Sequence, residues 1–291
     1  MPEILLLGST GLLGQAIVKE AHLRGKSLLG IARSGADFNL DIRNDHDLTQ
    51  LIETTRPAIV INTCAIVNHA LCEEDNKAAY EINSRPNAIL AQLARQHGYY
   101  FVYISTDGYY SGDLNSKHAP KDPVLLLNEY ARTKYAGECF ALTAPQSLVL
   151  RTNVVGFRGR VGQPTFVEWA IQTLKEHKAM ELFDDYFTSS ITVKQFAKAL
   201  FDLLPYKPTG IFNLASSEVA SKAQFITQLA MALDLDLSQT NIGSVKTLTS
   251  SQRADSLGLD VSQTETLLGY MLPDLAEVIA QLKEEYHELE H

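Results

Sequence analysis

"EILLLGSTGLLG" (residues 3–14) joins an unbroken apolar run to three glycines, and its reading decides the fold. The aliphatic residues Ile4 to Leu7 suit a strand covered on both faces, as in a parallel sheet. Gly8, Gly11 and Gly14 follow at a Gly-x-x-Gly-x-x-Gly spacing. Glycines here let the chain turn tightly, let its backbone approach a pyrophosphate, and let the next helix pack close to the strand with its amino end toward the phosphates. The spacing is one residue looser at the start than Gly-x-Gly-x-x-Gly. Its context, a strand before and an amphipathic helix after, assigns Gly8, Thr10, Gly11, Leu12, Leu13 and Gly14 to dinucleotide binding.

Outward from this stretch the same alternation repeats. Apolar runs at 27–32, 58–62, 100–104 and 147–151 are separated by segments of helical period, Gln15–Arg24, Asp47–Thr55, Pro86–His97 and Tyr130–Thr143. Strand and helix in strict turn specify an α/β fold, a Rossmann-like doubly wound parallel sheet. Beyond residue 152 the pattern loosens into a helix near 165–177, a strand at 180–183, a helix near 192–204, a strand at 210–214 and two later helices. The expected division is a NAD(P)-binding domain over 1–152 and a smaller α/β carboxyl-terminal lobe over 153–288, mainly substrate-binding, with some segments returning to the sheet. Leu289-Glu290-His291 reads as the remnant of an expression tag.

The 291 residues are 45% hydrophobic and carry a formal net charge of −9, which disfavours a non-specific nucleic-acid or anionic-membrane binder. No run of about 18 apolar residues occurs, and Met1-Pro2-Glu3 leads into a strand without a basic leader, so a cytoplasmic location is expected. Cys64, Cys72 and Cys139 lack paired ligand spacing and the eight histidines are scattered, so no metal is expected.

Three further features carry chemistry. The second strand ends in Ala32-Arg33-Ser34, with a guanidinium where an acid would otherwise meet the adenosine ribose; such a group pairs with a 2′-phosphate and favours NADPH, with NADH the alternative. The fourth strand ends in Ser105-Thr106-Asp107, at the edge where doubly wound sheets bind ligands. Tyr130 and Lys134 stand four apart in "NEYARTK" (128–134), one above the other on a helix. A phenol with an ordinary pKa of about 10 becomes a useful acid when a neighbouring cation stabilises its phenolate. With a Ser105 or Thr106 hydroxyl to orient a carbonyl oxygen, the set suits carbonyl reduction by hydride.

These motifs, with "LDIRN" (40–44), "NTCA" (62–65), "CEED" (72–75), Asn83, "STDGYYSG" (105–112), "LRTNVVG" (150–156) and "LFDD" (182–185), resemble those of extended short-chain dehydrogenases/reductases, and among them the dTDP-4-dehydrorhamnose reductase family. The resemblance covers nearly the whole chain and implies NADPH-dependent reduction of a 4-keto sugar nucleotide. It implies that Asp41 and Ile42 meet the adenine and that Cys64 and Ala65 line the cofactor. Tyr130 would donate the proton, Lys134 would tune it and hold the nicotinamide ribose, and Thr106 or Ser105 would bind the keto oxygen. Asp107, Asn153, Trp169 and Arg253 fall to the substrate, Trp169 with an aromatic face for a base and Arg253 with a charge for a diphosphate. Related enzymes are often dimers, so a homodimer is expected. Gly108-Tyr109-Tyr110 and "YFTSSIT" (186–192) depart from the family pattern, which leaves the sugar and its nucleotide open. Two alternatives stand beside this reading. A sugar-nucleotide epimerase or dehydratase shares the Tyr and Lys, but Gly108 cannot supply the second acid of a dehydratase. A non-catalytic NADP-binding subunit, of the kind that regulates methionine adenosyltransferase, would not need the intact Ser105, Thr106, Tyr130 and Lys134.

Overall fold

The computed structural model describes residues 2–160, 162–247 and 253–290. The chain forms two compact units, each discontinuous in sequence. The first comprises Met1–Thr106, Leu125–Arg151 and Ala197–Phe212, the second Asp107–Val124, Thr152–Phe196 and Asn213–His291.

In the first unit the expected apolar runs become β1 (Ile4–Leu7), β2 (Leu28–Ala32), β4 (Ile59–Asn62), β5 (Tyr100–Ile104) and the strand Ser147–Arg151, with a two-residue β3 (Phe38–Asn39) at the edge. The strand Gly210–Asn213 joins the far edge, giving seven strands in the order Gly210–Asn213, Ser147–Arg151, β5, β4, β1, β2, β3. β1 pairs in parallel with β2 and β4, β2 with β3, β4 with β5, and β5 with Ser147–Arg151. The chain therefore winds one way from β1 to β3 and the other way from β4 onward, and the β1/β4 boundary is the switch point where such sheets open a ligand crevice.

The crossover helices are α1 (Leu12–Leu23), α2 (Asp45–Thr55), α3 (His69–Glu74), α4 (Asn76–Asn83), α5 (Arg85–His97) and α6 (Glu129–Ala141). α3 and α4 occupy a stretch for which the sequence suggests no helix. Each is too short to show a period, and each starts on a capping side chain, Asn68 to the amide of Leu71 and Asp75 to the amide of Ala78. Leu5, Leu7, Val60, Phe101 and Val149 form the core with Leu48, Ile52 and Leu90 of the helices.

Buried polar groups fix α6 in place. Asn83 at the end of α4 donates to the carbonyl of Ile66 and to Thr133 Oγ1 of α6, its own carbonyl accepts from Tyr103 Oη of β5, and Ser84 Oγ donates to the carbonyl of Thr133. A Cβ on Gly137 would lie 2.6 Å from Asn83 O and from Tyr103 Oη, so only glycine lets α6 approach this closely. Glu138 forms a two-pronged ion pair with Arg151, at 3.0 and 2.8 Å, both side chains buried.

The second unit holds a four-stranded sheet, Ala220–Ser221, Phe187–Thr188, Ser256–Leu259 and Lys117–His118 in that order, with two strand pairs, Val154–Val155 with Ile191–Thr192 and Met180–Phe183 with Thr240–Gly243. Helices α7 (Phe166–Lys175) and α9 (Lys222–Ala232) and the helix Leu275–Glu290 belong to this unit, whereas α8 (Val193–Leu203) starts in it and from Ala197 onward counts with the first. Val167, Ile171, Phe225, Leu229, Val278 and Leu282 form its core. Segment 107–124 clusters here rather than with the sheet that precedes it, because the amide of Asp107 donates to Thr152 O and Lys117–His118 pairs with Gly258-Leu259. Leu289 and Glu290 continue the last helix, and His291 of the expected tag remnant lies outside the described residues. Among the described residues no helix is long and apolar enough to cross a membrane.

The Glu138–Arg151 pair generates a stability prediction. Removing one member leaves an uncompensated buried charge, so Glu138→Gln should lower unfolding stability by about 3–5 kcal/mol. Asp202→Asn, at the half-exposed Arg24 pair, should cost about 1 kcal/mol or less. Urea unfolding of both variants checks this; equal losses would contradict it.

Candidate functional site

The glycine loop leaves β1 at the switch point. Gly8 has φ +89°, and a Cβ there would lie 2.5 Å from Thr63 Oγ1 of the β4 side. A Cβ on Gly14 would overlap the carbonyl of Gly8, and one on Gly11 would crowd the same oxygen at 3.2 Å. Gly11 is the N-cap of α1 and supplies no capping side chain, so the amides of the first turn are left for an external acceptor. Gly8, Thr10, Gly11 and Leu12 are partly exposed around this cradle, whereas Leu13 and Gly14 are buried against the strand. The arrangement fits a pyrophosphate.

Arg33 stands exposed one residue beyond β2. Near it, the Asp41 carboxylate accepts from the amide and guanidinium of Arg43 at 2.6–3.1 Å, and that bonding, helped by the charges of Arg43 and Arg33, holds its pKa at about 2. Arg43 is a second cation at this corner that sequence reasoning overlooked. Ile42 belongs to the core, with its side chain 7% exposed. Cys64 and Ala65 follow β4 half-buried, the Cys64 amide bonded to Asn62 Oδ1 and its thiol pushed up to about 12 by burial.

Ser105 and Thr106 are buried directly after β5. Asn128 caps α6 by accepting from the amide of Ala131 at 2.9 Å, which places Tyr130 and Lys134 on one face from the first turn. Lys134 Nζ donates to the carbonyl of Ile104 at 2.7 Å and lies 4.3 Å from the centre of the Tyr103 ring. Burial pulls its pKa down to about 7, against the raising influence of Glu138. The His69 ring stacks on that of Tyr130 at 4.8 Å, and its Nδ1 is 3.4 Å from Asn128 Nδ2. His69 is thus Tyr130's immediate neighbour, a placement that no spacing rule links to residue 130.

In the second unit a pocket of about 410 Å³ is lined by Asn153, Phe166, Trp169, Glu181, Tyr186, Lys222 and Arg253, among others. Asn153 donates to Asp107 Oδ2 at 2.8 Å and accepts from Ser190 Oγ at 2.8 Å. Three of the substrate residues expected from sequence, Asn153, Trp169 and Arg253, therefore share one cavity, and Asp107 bonds to the first of them. Trp169 is partly exposed and packs at a tilt on Phe166, 6.2 Å between centroids. Lys222 and Tyr186 are lining residues that sequence reading missed. Among the described residues no three His, Cys, Asp or Glu side chains gather where they could hold a metal ion.

Comparison with known proteins follows the same lines. A family model described as the RmlD substrate binding domain matches residues 2–288. Agl14 of Haloferax volcanii, a probable low-salt glycan biosynthesis reductase, is 25% identical over 286 residues, 95% of this chain and 95% of its own. A dTDP-4-dehydrorhamnose reductase of Burkholderia thailandensis is 26% identical over 228 residues, 76% of this chain and 74% of its own. The crystal structure of dTDP-4-dehydrorhamnose reductase from Bacillus anthracis in complex with NADP has the same fold, with a TM-score of 0.87 at 22% identity, covering 98% of this chain and 100% of that one. With the glycine cradle at the switch point, the Tyr130/Lys134 face and a family model spanning nearly every residue, the chain belongs to the RmlD family of extended short-chain dehydrogenases/reductases.

Proposed function

We propose that the protein is an NADPH-dependent reductase of a 4-keto sugar carried on a nucleotide. The observation that carries this reading is the anchoring of Lys134 Nζ on the carbonyl of Ile104, the residue just before Ser105-Thr106, with Tyr130 on the same helix face. The names of the relatives, reductases of dTDP-linked or glycan sugars, support the substrate class. The NADP complex of the Bacillus anthracis relative supports the cofactor.

The bound nicotinamide supplies a hydride to the keto carbon. Tyr130 Oη gives its proton to the keto oxygen, so a carbonyl becomes a secondary alcohol. The Lys134 ammonium stabilises the phenolate left behind. A hydroxyl of Ser105 or Thr106 donates to the keto oxygen as negative charge builds there. Gly8, Gly11 and Gly14 leave room for the pyrophosphate. Arg33 meets the 2′-phosphate, and Asp41, Ile42, Cys64 and Ala65 flank the remaining cofactor. Asp107, Asn153, Trp169 and Arg253 hold the nucleotide-linked sugar. A homodimer in the cytoplasm, where NADPH is made, completes the proposal; its sedimentation checks the assembly.

NADPH oxidation, followed at the nicotinamide absorbance with dTDP- and UDP-linked 4-keto sugars, tests the reading; the absence of turnover with every one would sink it. Tyr130→Phe should keep NADPH affinity and lower kcat by about 10²–10⁴-fold; near-normal turnover would remove Tyr130 as the acid.

A base whose pKa is held down is charged below that value and neutral above it. The cation that stabilises the phenolate is therefore lost as pH rises through about 7. For free enzyme, kcat/KM for reduction should show an alkaline limb with an apparent pKa of about 7. Lys134→Arg, which stays charged, should lose that limb whatever its absolute rate.

Cofactor choice should follow Arg33. A charge-assisted hydrogen bond of roughly 1.5–3 kcal/mol corresponds to about ten- to a hundred-fold in affinity. Arg33→Ala should erase most of the NADPH preference and Arg33→Asp should reverse it; titration of each variant with both cofactors decides.

A further inference from the structure

Two side chains of the short helix α3 meet the first turn of α6. Glu73 accepts from the amide of Glu129 at 2.9 Å. The ring of His69 stacks on that of Tyr130, with centroids 4.8 Å apart and planes inclined by 25°. The segment that leads into α3 is itself anchored. The Ile66 amide donates to Asn83 Oδ1 at 2.7 Å, and the Ile66 carbonyl accepts from Asn83 Nδ2 at 3.1 Å. Because Asn83 Nδ2 also donates to Thr133 Oγ1 of α6, one buried side chain ties together the two elements that carry the stacked rings.

Asn128 decides which nitrogen of His69 carries the proton. Its Oδ1 accepts from the amide of Ala131 at 2.9 Å, and a backbone N–H only donates, so the carboxamide has one orientation. The atom 3.4 Å from His69 Nδ1 is therefore Asn128 Nδ2, a donor. Nδ1 must accept, which puts the proton of the neutral imidazole on Nε2. A second proton, on Nδ1, would set N–H against N–H. The residue that caps α6 thus also sets the state of the ring stacked on the tyrosine two positions later.

We infer that His69 is a positioning residue for Tyr130: a neutral ring, held in its Nε2–H form by Asn128, that keeps the phenol in one plane. This deepens the reductase reading and rests on it for the role of the phenol, but tautomer and ring motion are measured apart from turnover. The bond from Lys134 Nζ to the carbonyl of Ile104 fixes the cation and leaves the phenol free to turn about its own side-chain bonds. A stack on one face supplies that restraint. The neutral form also matters, since an imidazolium there would add a second cation beside Lys134 and favour the phenolate before hydride arrives.

The test is NMR of the full chain labelled with ¹⁵N-histidine or ¹³C-tyrosine, the signals identified through His69→Gln and Tyr130→Phe. At about pH 8, above the ordinary imidazole pKa of about 6.5, the nitrogen shifts of His69 should show the proton on Nε2. Asn128→Asp keeps the cap, because a carboxylate also accepts from the amide of Ala131, and should move that proton to Nδ1. Ring flips of Tyr130 should be about two- to tenfold faster in His69→Ala, the size of an aromatic pair, and His69→Phe should restore most of the restraint. In turnover, His69→Ala should lower kcat by a similar factor with KM and NADPH affinity unchanged, and His69→Phe should recover most of it. The inference is overturned if wild-type His69 carries its proton on Nδ1, or if Tyr130 flips as fast with His69 as without it. A parallel loss of NADPH affinity in His69→Ala would reduce His69 to a fold residue and overturn it as well. If no keto sugar turns over, the reductase reading fails, while the nitrogen shifts and ring flips still decide the role of His69.

Discussion

A single hydrogen bond, from the Lys134 ammonium to the carbonyl of Ile104 at 2.7 Å, ties helix α6 to the end of β5. Much of the first unit is arranged so that this bond can exist. Gly137, lacking a Cβ, lets the helix come close enough; Asn83 and Ser84 hold Thr133 from the other side; Glu138, one turn beyond Lys134, binds Arg151 of the neighbouring strand. These contacts fix the rotation and register of α6, and with them the direction of the face that carries Tyr130. An aliphatic residue at 134 would pack in the same space without the cost of desolvating a charge. The packing around it therefore holds the ammonium in spite of that cost.

The glycine loop after β1 is organised by the opposite means, the absence of side chains. Gly8 turns at a positive φ beside Thr63, and Gly14 brings α1 against the carbonyl of Gly8. Both contacts lie where β1 and β4 part, so sheet topology and loop sequence specify the same crevice. A substitution at Gly14 would disturb the strand, the helix and the glycine loop together, because one contact serves all three.

How much of this could be seen in the sequence depended on whether the signal was local. Continuous apolar runs give the strands, and the Tyr130/Lys134 spacing gives a shared helix face, because periodicity is a local property. α3 and α4 escaped because each is short and they meet at Asp75, where the chain breaks from helical geometry. β3, with two residues, carries no period at all. Segment 107–124 follows a sheet strand in sequence, yet its partners are Thr152 and Gly258-Leu259. His69 lies 61 positions before Tyr130 yet stacks on it, and Arg43 meets Asp41 through a turn geometry that composition does not reveal. Arg253 and Trp169 were legible as residue types suited to a nucleotide, but only the fold puts them in one cavity with Lys222.

Lys134 and Lys222 show how burial and partners together decide what a lysine can do. Burial lowers both, to about 7 and about 8. Lys134 has a short bond to a carbonyl and a carboxylate one helical turn away, so its nitrogen is held in a fixed place on the helix face that carries Tyr130. Lys222 has ring faces, a long bond to Ser190 Oγ and the through-space charge of Asp107, and burial outweighs them. A buried cation with a short, directed bond has a fixed place within the fold. One held by ring faces and a carboxylate acting through space keeps a lowered pKa, because neither replaces the water that burial removes.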